Sequence, residues 1–183
     1  MNIELDLSKV NMQEQAIHAW EKRDVMGVLC SMDNHNCLEF VANNIEIMLH
    51  KGLYEKFLFD ALIGTRTNNR NFSLNTLRYL LFCADINKMQ KCGDQFPGNG
   101  PYTIYRGVAG IGAARRIRGI SWTVDFERAK WFAKRFPYLK NPAVYKATIE
   151  KKYVFAYCND RQEQEFIIDS AGLCPKKPKR ILV

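Results

Sequence analysis

The chain has 183 residues, of which 47% are hydrophobic, 25% charged and 12% aromatic, and its formal net charge is +8. That composition excludes a disordered or fibrous chain and fits one compact domain, or a helical lobe packed on a small catalytic lobe. No apolar run reaches bilayer-spanning length, and Met1–Val10 alternates polar and apolar residues without the basic start and apolar stretch of a secretory leader. The expectation is a protein of the cytoplasm, its own cell's or a host's, with no membrane partner.

The six cysteines (Cys30, Cys37, Cys83, Cys92, Cys158 and Cys174) form no C-x-x-C pair. They share no zinc-ligand spacing with His18, His35 or His50, so no metal is expected. The pattern suits thiols kept reduced.

The first half reads as helices. Ile17, Trp20 and Val28 predict a helical segment over residues 12–32, and Leu38, Val41, Ile45, Met48 and Leu49 predict a second, stopped by Gly52. A shorter apolar segment over 53–63 ends at Gly64, and Asn68–Asn71 is a polar connection. Ser73 is a good N-cap for Leu74, Leu77, Leu81 and Ala84, with Gly93 closing the helix. These segments predict a four-helix lobe over residues 1–95, which would brace the second lobe or bind a target.

At Phe96–Pro101 two prolines and two glycines fall within six residues and mark a connection. Beyond it, over residues 96–183, the periodicity shortens. Strands are predicted over 102–105, 119–123, 143–149, 153–157 and 165–169, with a turn at Asn159–Arg161. Asp125 caps one inserted helix carrying Phe126, Ala129, Ala133 and Phe136, stopped by Pro137. The basic run Pro175–Arg180 reads as a solvated tail. The fold class is therefore α+β, a helical lobe followed by a small β-rich core.

Three short elements in that core point to chemistry. Tyr105-Arg106-Gly107 ends a strand, Ser121-Trp122-Thr123 precedes the capped helix, and Glu163-Gln164-Glu165 enters the apolar strand Phe166-Ile167-Ile168. Each alone has a plain structural explanation as a turn, a cap or a charged strand edge. As an ordered set, spanning Tyr102–Ile168, they resemble the arginine–serine–glutamate class of mono-ADP-ribosyltransferases, the cholera-toxin-like enzymes. That family carries an arginine on its first core strand, a Ser-Thr-Ser-like segment on a later strand and a Glu-x-Glu motif near the end. The resemblance implies an ADP-ribosyltransferase-like core that uses NAD⁺ as co-substrate, cleaves its nicotinamide–ribose bond and transfers ADP-ribose to an acceptor. An acidic residue at the Glu163 position implies an arginine of a target protein as that acceptor.

The chemistry is consistent with those residue types. Cleavage of the bond builds oxocarbenium character on the ribose, which a carboxylate stabilises, as in glycoside hydrolysis. Glu165 is the candidate for that carboxylate. In a strand, Glu163 would share its face and would hold or deprotonate the acceptor. A carboxylate also pairs well with a guanidinium acceptor. The planar fork of Arg106 suits the phosphate or ribose of NAD⁺. Ser121 would fix Glu165 or the ribose, Thr123 would support the strand end, and Gly107 would let the backbone approach the nicotinamide. Trp122, Phe126, Phe132 and Tyr153 are the aromatic candidates for stacking on nicotinamide. The loop Cys158–Gln162, in which Asp160, Arg161 and Gln162 lead into Glu163, is where this family recognises its target. It is expected to be mobile and to set acceptor choice.

Two departures from the family pattern stand out. Trp122 occupies a position usually held by a small residue, which implies an altered pocket or an outward-facing ring. Only 15 positions separate Arg106 from Ser121, filled by Gly110–Arg118; its Gly-x-Gly is too short for a dinucleotide fingerprint, and its arginines read as a solvated loop or as contacts to phosphate or target. Two other readings stay open. One is an enzyme of the same kind acting on nucleic acid, which the net charge of +8 allows, or on water. The other is a non-catalytic basic binding module, favoured by Tyr153, Phe155 and Tyr157 alternating after Lys151-Lys152. A phage-encoded host modifier, an injected effector and an intracellular toxin are all compatible settings.

Overall fold

The computed structural model describes residues 4–64, 72–174 and 177–181. The chain divides into two units, Met1–Cys92 and Gly93–Val183, against the break after residue 95 read from composition. The architecture is α+β, with seven helices described in the first unit and an eighth in the second beside a six-stranded antiparallel sheet. No helix among the described residues is long and apolar enough to cross a membrane.

In the first unit the four predicted segments resolve into more, shorter helices. The span 12–32 contains α1 (Gln13–Glu21) and α2 (Val25–Leu29). Arg23 takes a left-handed φ of 58° between them, and the Asp24 carboxylate accepts from the Gly27 N–H at 3.0 Å to cap α2. The next span splits into α3 (Cys37–Asn43) and α4 (Ile45–Lys51) at Asn44. Asn44 is buried, and its amide donates to the carbonyls of Phe40 and Asp6 while its oxygen accepts from the Asp6 N–H at 2.7 Å. A side chain that competes so well for backbone partners breaks the ladder, an effect that apolar spacing does not report. Gly52 ends α4 in the left-handed conformation, as its position predicts.

Helix α5 (Tyr54–Gly64) is central to this unit and touches α2, α3, α4 and α7 (Ile86–Cys92). Its Tyr54 hydroxyl donates to the Leu80 carbonyl at 2.7 Å and so ties it to α6 (Leu74–Cys83). Ser73 caps α6 by accepting from the Thr76 N–H at 3.0 Å. The last predicted helix ends early, because Ala84 is extended and α7 starts afresh after Asp85. The connection Asn68–Asn71 lies outside the described residues.

In the second unit the strands are β1 (Tyr102–Val108), β2 (Ser121–Thr123), β3 (Ala143–Ile149), β4 (Val154–Cys158), β5 (Glu165–Ile168) and β6 (Lys179–Ile181). They run in the order β4-β5-β2-β1-β3-β6. The basic tail is thus partly a strand: Lys179, Arg180 and Ile181 pair with Lys146, Tyr145 and Val144. Two exposed basic residues hid a short edge strand whose only apolar anchor is Ile181.

One face of the sheet carries an aromatic core. Phe166 lies 4.9 Å from Tyr102 and 5.0 Å from Tyr157, ring centroid to centroid, with Trp122 and Ile168 in the same cluster. The other face carries α8 (Phe126–Lys134), capped by Asp125 accepting from the Arg128 N–H at 3.1 Å. Ala129 and Ala133 bring this helix against β1, where Gly107 leaves it room. A Cβ on Gly107 would overlap the Ala129 carbonyl oxygen and stand 2.6 Å from the Ala133 nitrogen. The bareness of Gly107 therefore serves helix packing.

Candidate active site

Strand alternation decides which side chains can meet. Trp122 and Phe166 are opposed across β2 and β5 and both point into the aromatic core. Their neighbours Ser121, Thr123 and Glu165 consequently point to the face that carries α8. Thr123 is directly opposite Glu165, and Ser121 is opposite Ile167, which puts Ser121 on the diagonal to Glu165. The Ser121 hydroxyl uses that diagonal and donates to Glu165 Oε1.

Arg106 sits on β1, the next strand. Its Nη1 donates to the Ser121 carbonyl and its Nε donates to the Arg116 carbonyl at 3.1 Å. The pairing of β1 with β2 runs through Tyr105 and Thr123, and one residue further along, the guanidinium links the two chains in place of the ladder. Arg106, Ser121 and Glu165 are therefore one bonded chain of groups across three adjacent strands. Burial, opposed by the Glu165 carboxylate and reinforced by Arg116 and Arg135, pushes the guanidinium down to about 10. It remains a cation at neutral pH. Its two committed N–H groups leave others on the same fork to offer an anion.

The Glu163-Gln164-Glu165 segment departs from the strand geometry expected of it. Glu163 has helical dihedrals at the end of the 3₁₀ turn Asp160–Gln162, and Gln164 is left-handed at φ 46°. Strand β5 begins at Glu165. Glu163 and Glu165 therefore do not share a face by alternation, because a left-handed residue between them breaks the two-residue period. Thr123 instead holds the turn. Its buried hydroxyl donates to the Glu163 carbonyl at 2.7 Å and accepts from the Asp125 N–H at 3.0 Å. Arg128 on α8 adds a bond to the Gln162 carbonyl at 3.3 Å. The loop Cys158–Gln162 contains a bonded turn, with Asp160 and Gln162 exposed; the side chain of Arg161 lies outside the described set.

Thr123→Val keeps the shape and removes both bonds, leaving a part-buried carbonyl and amide without them. We expect a loss of about 1–3 kcal/mol in stability, measured by chemical denaturation. A loss below a few tenths of a kcal/mol would mean that other groups hold the turn.

The aromatic candidates also sort themselves. Trp122 is 2% exposed and donates its indole N–H to the Gly119 carbonyl at 2.8 Å, so it is core and cannot stack on a ligand. Neither an altered pocket nor an outward ring describes it. Phe126 packs edge-on against Tyr105 at 5.5 Å. Phe132 carries Arg135 over its ring at 5.1 Å. Tyr153 packs against the aromatic core with Lys152 over it at 5.1 Å. Tyr157 is buried against Phe166, whereas Tyr153 and Phe155 are half-buried.

No protein-family model, curated protein or solved structure matches this chain. The site therefore rests on its own geometry. Among the described residues no group of three or more His, Cys, Asp or Glu side chains is arranged to hold a metal ion.

Sequence reasoning overlooked three contributors. Gly119 lies against the Arg106 guanidinium, Arg116 supplies the carbonyl that holds it, and Arg128 ties α8 to the Glu163 turn. Arg128 lies in the first turn of a capped helix beside the motif, and Gly119 leads into the segment that carries Ser121.

Proposed function

We propose that this protein is a mono-ADP-ribosyltransferase that cleaves the nicotinamide–ribose bond of NAD⁺ and transfers ADP-ribose to an arginine of a target protein. The observation that carries the reading is the bonded chain Arg106–Ser121–Glu165. The Arg106 guanidinium donates to the Ser121 backbone carbonyl and the Ser121 hydroxyl donates to the Glu165 carboxylate, which ties together three strands that the sequence scatters over 59 positions. The β-rich second unit, with its single helix on one face, is read as an ADP-ribosyltransferase-like core on the same grounds.

Arg106 is the group for the anionic part of NAD⁺, since its fork still has N–H donors and it is charged at neutral pH. Glu165 is the group for the ribose. Its carboxylate faces developing positive charge on that sugar, and a charge placed in advance stabilises the transition state without reorganisation. Ser121 restrains Glu165 through its hydroxyl. Glu163, in the turn held by Thr123 and Arg128, is the group for the acceptor. The leaving nicotinamide takes the bonding electron pair and becomes neutral, and the acceptor nitrogen forms the new bond to the ribose while losing a proton to Glu163.

The test is incubation with labelled NAD⁺ and a cell lysate, followed by protease or nuclease. Protease-sensitive label supports protein transfer. Nuclease-sensitive label would move the acceptor to nucleic acid, and free ADP-ribose alone would make the protein a hydrolase. Absence of NAD⁺ turnover under every condition would end the reading in favour of a binding module.

Glu163→Gln separates the two carboxylates. Transfer to an arginine acceptor is expected to fall by about 10²-fold or more while NAD⁺ hydrolysis stays within about threefold, measured by acceptor labelling and nicotinamide release. Equal losses in both would undo the division of labour.

A further inference from the structure

We propose that Gly119 is a positioning residue for Arg106: its missing side chain is the seat in which the guanidinium lies. A Cβ built on Gly119 would overlap Arg106 Nη2 and stand 2.6 Å from Cζ and 3.0 Å from Nε. All three are guanidinium atoms, so the charged head is what stands nearest to the space left by the glycine.

A clash with the end of a long side chain is usually relieved by a small swing. Here that swing is blocked on both sides. The guanidinium is committed to the Ser121 and Arg116 carbonyls, so moving it breaks two charge-assisted bonds. The glycine cannot retreat either. Its N–H donates to the Arg116 carbonyl at 2.8 Å, and its carbonyl accepts from the buried Trp122 indole at 2.8 Å. The Arg116 carbonyl thus receives both Gly119 and Arg106, and the turn 116–119 holds the arginine and leaves space for it in one construction. This explains a buried indole at Trp122, which locks the turn from the core side.

Gly119 does not lie in the left-handed region, unlike Gly110 and Gly112. Alanine is therefore compatible with its backbone, and any effect of Gly119→Ala comes from the added methyl group against Arg106. That makes the inference separable from general destabilisation by a double-mutant cycle of Gly119→Ala and Arg106→Ala.

In the protein with Arg106 intact, Gly119→Ala is expected to lower the Tm by about 4–8 °C. In the Arg106→Ala background, where the seat is empty, the same substitution is expected to shift the Tm by less than about 2 °C. Equal losses in both backgrounds would overturn the inference, because the methyl group would then be clashing with something other than the arginine. If Gly119→Ala alone fails to fold, recovery of folding in the double variant supports the seat and continued failure overturns it.

A second readout rests on the proposed function: Gly119→Ala raises KM for NAD⁺ about tenfold only when Arg106 is present, as expected for displaced charge-assisted bonds. An unchanged KM with Arg106 in place would also overturn the inference. If the unaltered protein turns over no NAD⁺, the functional reading fails by itself, and the Tm cycle still decides the role of Gly119.

Discussion

Glu165→Gln is expected to reduce nicotinamide release from NAD⁺ by about 10³-fold, corresponding to about 4 kcal/mol of lost transition-state stabilisation, with the fold left intact. The substitution keeps the shape of the side chain and its amide oxygen can still accept from the Ser121 hydroxyl, so the strand and its hydrogen bond survive. What disappears is the negative charge. In the ground state the positive charge lies on the nicotinamide ring, whereas in the transition state it moves onto the ribose that Glu165 faces, so the loss falls more on the rate than on substrate binding. The measurement is nicotinamide release at saturating NAD⁺ beside a thermal melt of the same preparation. Turnover within about tenfold of the unaltered protein, with an unchanged melt, would remove Glu165 from the chemistry.

Gly107→Ala tests the packing of α8 on β1. The added Cβ would overlap the Ala129 carbonyl oxygen and crowd the Ala133 nitrogen and the Ala129 carbonyl carbon, at 2.6 and 2.9 Å. These are backbone atoms of α8, which cannot rotate away, so the helix must lift from β1. We expect a loss of about 3 kcal/mol, seen as a fall in Tm of about 6–12 °C. Asp125, Thr123 and the Glu163 turn are bonded to the start of the same helix or near it, so transfer to the acceptor should suffer with stability. If instead Gly107 mainly admits the backbone to NAD⁺, the melt would stay in place while KM for NAD⁺ rose, and the packing role would be wrong.

The turn that holds Glu163 and the seat that holds Arg106 illustrate a common limit on reading this chain. Both depend on carbonyls that accept from side chains remote in sequence. Thr123 reaches across 40 positions to the Glu163 carbonyl, and Arg106 reaches 10 and 15 positions to those of Arg116 and Ser121. Every residue has a carbonyl, so no side-chain pattern marks the ones that will be used. The same holds for Asn44, whose break between two helices depends on Asp6 at 38 positions' distance.

What the amino-acid order determined alone was local. Ser73, Asp125 and Gly52 cap helices because a short polar side chain or a missing one suits the chain end wherever it occurs. The change from helical to strand period near residue 96 announces an α+β chain, since backbone geometry sets both periods. The motif set named Arg106, Ser121 and Glu165 by residue type and order. Only the tertiary structure decided that β2 lies between β1 and β5, which is what joins those three by hydrogen bonds. It also decided that Trp122 is core, that Gly107 serves a helix, that Gly119 serves an arginine and that the basic tail ends in a strand. The physical reason is the same in each case. Side-chain direction along a strand is local, but which neighbour occupies the space it points into depends on pairings between segments far apart in the chain.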